Sequence, residues 1–227
     1  MERTKVKDIN KYLFYEKNLQ CIESLSLIQS KQLIDIIHYL YDCRVIHRDV
    51  RPQNVMLDPD NNHIKLIDFG FAFAFNMDNK GGSIEIIGPL RYASESFLDF
   101  YSKLLKGQKF PYYFYERTFD LVCALNIIMA MSNADIERSI DSFKNLQDVN
   151  EVALKSLQLW KDTQRTNKHY SKLLKLIKKL DSWYPSDDSN QSDESNESDE
   201  SSVSHVSKDQ SAIFDVIKDK IEKLFHM

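Results

Sequence analysis

The sequence predicts a mainly α unit carrying a small β element, and three observations lead there. Leu27, Ile28, Ile34, Ile36, Ile37, Leu40 and Tyr41 recur at helical spacing within Ser24 to Cys43. Two short apolar runs follow, Val55-Met56-Leu57 and Ile64-Lys65-Leu66-Ile67, too short for helices and separated by turn residues. After a long loop, the chain from Thr118 to Leu180 reads as helices.

Each element has its own warrant. Lys7 to Lys17 is a short helix candidate, and Ser24 or Ser26 is placed to cap the longer helix after it. Arg44-Val45-Ile46 leads into a polar loop. Asp58-Pro59-Asp60-Asn61-Asn62 has the turn chemistry needed between two strands. Phe71 to Ser94 contains Gly81-Gly82 and Gly88-Pro89 and reads as a long loop, with the Phe71, Phe73 and Phe75 alternation as a half-buried extended stretch. Thr118 to Met131 is almost uniformly apolar, which predicts a buried helix. Ile136 to Leu180 reads as two or three amphipathic helices, with Lys172, Lys175, Lys178 and Lys179 on a solvated face.

Composition changes at Pro185. Ser186 to Ser204 holds seven acidic residues and no basic ones, too little apolar surface to order itself. The expected organisation is a domain over 1–184, an acidic Ser-rich linker over 185–208 and an amphipathic helix over 209–227. Ile213, Phe214, Val216, Ile217, Ile221, Leu224 and Phe225 form the stripe of that helix, which should dock on the domain or on a partner. The linker also suits acidophilic phosphorylation, and phosphates there could bind the basic stretch Lys161 to Lys179.

The whole-chain properties narrow the function. The 227 residues are 42% apolar with 13 Phe and 11 Tyr, enough for a real core. A net charge of −4 gives no drive toward nucleic acid or an anionic membrane. The 3 cysteines fit no metal spacing and read as reduced thiols, and the longest apolar stretch, Leu121 to Met131, is too short for a bilayer. A cytoplasmic protein is expected.

The chemistry concentrates at His47-Arg48-Asp49-Val50-Arg51-Pro52-Gln53-Asn54 and at Asp68-Phe69-Gly70. Phosphoryl transfer needs an oriented hydroxyl and a neutralised triphosphate. Asp49 is a candidate base, while Asn54 and Asp68 offer the oxygen ligands that Mg²⁺ prefers. Arg51 is placed to contact the transferring phosphate. A strand–turn–strand hairpin would bring these residues together.

These two motifs, in order and spacing, resemble the catalytic and metal-binding loops of the eukaryotic protein kinase superfamily. Gly88-Pro89-Leu90-Arg91-Tyr92-Ala93-Ser94 resembles the end of an activation segment, closest to the casein-kinase-1-like branch. The resemblance spans roughly Lys7 to Leu180, all of it C-terminal lobe. It implies ATP and Mg as cofactors, a protein substrate or binding partner, and Ser/Thr hydroxyls as acceptors. It also implies that His47 packs beneath Phe69, that Arg48 organises the activation segment, and that Asp120 holds the loop backbone, with Gly70 completing the metal motif.

The chain departs from the family pattern in three places. All 5 glycines lie at or after position 70, and no Val-Ala-x-Lys strand is present, so a missing N-terminal lobe is expected, with such a lobe as a possible partner. Arg51 stands where Lys is usual, and Pro89 where a Thr hydroxyl would bridge to the catalytic Asp. A truncated lobe acting as a binding or regulatory module is therefore the alternative reading. An aminoglycoside-type kinase shares the Asp-x4-Asn loop but is disfavoured by Arg48 and Asp-Phe-Gly.

Overall fold

A computed structural model describes residues 19–75, 81–104, 112–182 and 200–225. The expected helix at Lys7 to Lys17 and most of the acidic tract lie outside those residues. Helix α1 runs Leu27–Asp42. Ser26 caps it through a reciprocal pair in which Gln29 N–H donates to the Ser26 hydroxyl and Ser26 N–H to the Gln29 side chain. Leu33, Ile34, Ile37, Leu40 and Tyr41 form its buried face.

Strand β1 is Gln20–Cys21 and strand β2 Val45–Ile46. Strands β3 (Val55–Asp58) and β4 (His63–Leu66) make the expected hairpin, with Val55 opposite Leu66. β1 pairs with β3 as a third strand, and β2 with the short β5 (Phe73–Ala74). The β content therefore exceeds the two strands expected.

Two corrections concern Phe71 to Ser94 and its surroundings. Read as one long loop, it instead contains β5 and a strand β6 at Gly81–Glu85. β6 pairs antiparallel with β7 (Tyr112–Glu116), placing Gly82 opposite Tyr115 and Glu85 opposite Tyr112. Backbone groups of a glycine-rich stretch gain ladder partners here only because a distant strand returns beside it. Phe75 is buried, whereas Phe71 is exposed.

Helix α2 (Glu95–Ser102) starts at a Ser94 cap. Helix α3 (Phe119–Ser132) is buried nearly all round, as its composition predicts. Three amphipathic helices follow: α4 (Ala134–Ser142), α5 (Val149–Thr166) and α6 (Lys168–Ser182). The Thr118 hydroxyl donates to the Asp181 carboxylate at 2.7–2.8 Å, pinning the start of α3 to the end of α6. Lys172, Lys175, Lys178 and Lys179 are exposed. No single helix among the described residues is long and apolar enough to cross a membrane. The three thiols are free, with only Cys123 buried.

Helix α7 spans Glu200–Ile221. It begins inside the segment read as linker, which corrects the boundary at 208. Once a helical turn is nucleated, each further residue adds one hydrogen bond. The apolar stripe docks back on the domain, against α1 and α6. Phe214, Ile217, Ile221 and Leu224 are buried, and Phe214 stacks on His38 with centroids 4.0 Å apart. Lys218–Asp35 at 2.8 Å and Lys31–Glu222 at 2.5 Å flank the contact. Such exposed pairs add little, so burial holds the helix.

Phe214→Ala should therefore cost about 3 kcal/mol in urea unfolding, the lower end for a buried Phe. A cost well under 1 kcal/mol would show that α7 is not held by this stripe.

Candidate active site

The motif loop is fixed from beneath by one buried carboxylate. Asp120, in the first turn of α3, accepts the main-chain N–H of His47 at 2.5 Å and of Arg48 at 3.1 Å. Arg48 has φ 66°, a left-handed conformation that costs a non-glycine residue free energy and persists only when its surroundings impose it. The paired amide bonds supply that constraint. Burial pushes the Asp120 carboxyl up to about 6, against the two N–H bonds that favour its charged form.

Above this anchor the loop presents its side chains. The Asp49 Oδ2 accepts the Asn54 Nδ2–H at 2.8 Å and lies 3.1 Å from Arg51 Nε. Asn54 also donates to the Asp49 main-chain oxygen at 2.8 Å. Burial raises the Asp49 pKa, with Arg51 and Asn54 acting in the opposite direction and the Asp68 charge adding to the rise. Asp68 is thus close enough to act electrostatically on Asp49. The Ile67 N–H donates to the Asn54 main-chain oxygen at 2.9 Å, which joins the end of β4 to the motif loop.

His47 is fully buried. Its Nε2 pairs with the Ile67 oxygen at 2.9 Å, and its ring meets Phe69 edge-on at 4.6 Å. Burial lowers its pKa, favouring the neutral ring, against the Ile67 hydrogen bond and the Asp49 and Asp68 charges. Asp68 adopts φ 65° and is exposed, in no ion pair with another described residue. A Cβ at Gly70 would stand 3.3 Å from Asp68 Oδ1, so glycine leaves that oxygen its room.

These observations fit a magnesium site of the sparse kind. The Asn54 amide nitrogen is committed to Asp49, which leaves its side-chain oxygen as the atom able to face a cation. Asp68 adds an exposed carboxylate. Two protein oxygens suit Mg²⁺, which keeps several waters and takes phosphate oxygens. Among the described residues no group of three or more His, Cys, Asp and Glu could hold a metal.

Arg48 turns away from the site. Its Nε donates to the Phe71 oxygen at 2.6 Å and a terminal nitrogen to the Glu85 oxygen at 3.1 Å. An open cleft of about 780 Å³ runs from Asp49 and Arg51 past Pro89 to Glu137, Asp141 and Lys144. Its Arg91–Tyr92 wall, with the buried Ala93 behind it, is tied to the core. Trp160 Nε1 donates to the Arg91 oxygen at 2.9 Å, and Asn126 Nδ2 to the oxygens of Tyr92 and Ala93. The Tyr170 hydroxyl donates to Asn126 Oδ1 at 2.6 Å.

Sequence reasoning singled out none of Tyr115, Asn126, Trp160 and Tyr170. Only Asn126 left a signal, as the one amide within an apolar helix.

A folded-state pKa near 6 against an ordinary 3.8 means that the folded chain holds the Asp120 proton more tightly. That contribution to stability is full below about pH 4 and is lost as pH rises through about 6. Asp120→Asn removes it and strands one N–H, at about 1–3 kcal/mol. Urea unfolding at pH 4.5 and 7.5 should give the larger cost at pH 4.5, and equal costs would contradict this assignment.

The protein kinase domain family matches residues 1–113. Serine/threonine-protein kinase CHK1 of Saccharomyces cerevisiae is 35% identical over 77 residues, covering 30% of this chain and 14% of that protein. Serine/threonine-protein kinase fused of Drosophila melanogaster is 40% identical over 65 residues, 29% of this chain and 8% of that one. Serine/threonine-protein kinase ppk21 of Schizosaccharomyces pombe is 36% identical over 64 residues, 28% and 10% respectively. The matched stretches span less than a fifth of each relative's length. The family match thus covers the first 113 of the 227 residues, and the likeness to these serine/threonine-protein kinases extends over 64–77 residues each.

Proposed function

We propose that this chain carries the catalytic-loop side of a protein kinase-type site, which transfers the γ-phosphate of ATP to Ser/Thr hydroxyls of a protein. The observation that supports it most directly is the Asp49 cluster at the head of the cleft. Asp49 Oδ2 is engaged by Asn54 and Arg51, while Oδ1 accepts no hydrogen bond from a described residue. Oδ1 is then the atom to which an acceptor hydroxyl gives its proton. The burial that raises the Asp49 pKa makes it a better proton acceptor than a free carboxylate.

In this reading Asn54 and Asp68 hold Mg²⁺, which when bound with ATP neutralises charge on the phosphates. Arg51 holds the Asp49 carboxylate in place and presents its remaining N–H groups to the transferring phosphate. The cleft beyond Pro89 receives the acceptor segment. The Gly88 to Ser94 run supports placing the chain nearest the casein-kinase-1-like branch, with the described residues forming the C-terminal-lobe part of the site.

A second reading, a binding module with weak or no turnover, is favoured by one feature. Position 89 is a buried proline beside Asp49 in the cleft, with no hydroxyl to offer it.

Transfer of radiolabelled γ-phosphate to dephosphorylated casein separates the two. Asp49→Ala should lower kcat by about 10²–10⁴-fold with folding intact, the usual worth of a positioned acid or base. A wild-type chain that binds casein but transfers nothing supports the second reading. Asn54→Ala and Asp68→Ala should each raise the Mg²⁺ concentration for half-maximal rate; unchanged magnesium dependence in both variants would remove them as ligands.

A further inference from the structure

The Tyr115 side chain is fully buried on β7, and its hydroxyl engages one residue twice. It accepts the Ile87 N–H at 2.7 Å and donates to the Ile87 oxygen at 2.5 Å. Burial pushes its pKa up to about 12, so the donating proton stays in place at neutral pH. The Arg48 guanidinium lies over the ring, 5.6 Å from its centroid. That guanidinium holds the main chain at Phe71 and Glu85. One tyrosine and the arginine beneath it thus grip positions 71, 85 and 87.

The residues after Ile87 show what this grip sets. A Cβ at Gly88 would come within 2.8 Å of the Phe97 ring and 3.2 Å of Phe119. Phe119 meets Tyr115 edge-on at 5.0 Å, and Phe97 lies 6.0 Å from it. Gly88 is therefore laid flat on the rings that surround Tyr115. Gly88 and Pro89 then line the cleft together with Asp49 and Arg51. A hydroxyl on β7 fixes the chain two residues from where it flanks Asp49, at a place where position 89 itself has no hydroxyl.

We propose that Tyr115 is a positioning residue for the acceptor side of the site: its hydroxyl fixes Ile87, and its ring backs Arg48, so that Gly88–Tyr92 stands at a set distance from Asp49. The proposal rests on the phosphotransfer reading above. Tyr115 touches neither acceptor nor nucleotide in this scheme. Its effect belongs on the acceptor, because the segment that it holds walls the acceptor cleft.

The full chain and its Tyr115→Phe variant test this, with Tyr113→Phe as control. Tyr113 is the neighbouring buried tyrosine on the same face, and its hydroxyl donates to Ser96 instead. Two readouts are taken: amide hydrogen exchange at Ile87 by NMR, and steady-state transfer from ATP to dephosphorylated casein. Tyr115→Phe keeps the ring and loses both hydrogen bonds. Ile87 exchange should quicken about tenfold or more, a factor that one net hydrogen bond supplies. The KM for casein should rise about tenfold while the KM for ATP stays within twofold. Tyr113→Phe should change neither.

A loss of folded fraction alone would lower kcat and leave both KM values as they were, so that pattern overturns the proposal. Unchanged exchange at Ile87 also overturns it, as does a casein KM that stays put while Ile87 loosens. If the wild-type chain binds casein without transferring phosphate, the phosphotransfer reading falls, and the casein Kd decides instead. A tenfold weakening in Tyr115→Phe then upholds the positioning role, and an unchanged Kd ends it. A wild-type chain that neither transfers to nor binds casein removes both.

Discussion

Asp120 accepts the amide hydrogens of His47 and Arg48 from inside the core, and the motif loop depends on this contact. A loop with Arg48 at positive φ does not hold that conformation by itself. The carboxylate belongs to the first turn of α3, which is buried nearly all round. Loop geometry is thereby referenced to the core. The cost is a buried acid, visible in a pKa raised to about 6. Two good hydrogen bonds to a charged acceptor offset that cost, and removing the acceptor would leave two buried donors without partners.

From that anchor, order spreads outward through main-chain contacts. Ile67 meets both Asn54 and His47, which fastens the metal-motif side to the hairpin. Arg48 takes two carbonyl oxygens of the following segment, and Tyr115 takes both polar groups of Ile87. Trp160 and Asn126 secure the stretch from Arg91 to Ala93. Each of these side chains satisfies backbone groups that no regular ladder could reach. Aromatic packing around Phe97, Tyr113, Tyr115 and Phe119 keeps those partners in place.

The longer helices were legible because their patterns are long, whereas the eight-residue α2 was not read. The stripe in α1, its Ser26 cap and the uniformly apolar α3 follow from residue spacing alone. The β3–β4 hairpin was legible from its turn. β7 was not: in Tyr112-Tyr113-Phe114-Tyr115 the buried and exposed positions alternate, but every residue is aromatic, so no polar alternation marks the strand. β6 was hidden for a related reason, since Gly81-Gly82-Ser83 carries turn chemistry and becomes a strand only beside β7.

The sequence by itself determined the chemical content of the candidate site: which acids, amide and arginine it contains, and at what spacing. It also determined that the last apolar stripe would form a helix, because local periodicity suffices for that. Only the tertiary structure decided that this helix folds back on α1, that Asp49 commits one oxygen to Asn54 and Arg51, and that Arg48 faces the chain and not the cleft. Those outcomes turn on contacts between residues far apart in the chain, such as Asp120 with His47 or Tyr115 with Ile87. Side-chain type sets what each group can bond, but only packing sets which partner comes within reach.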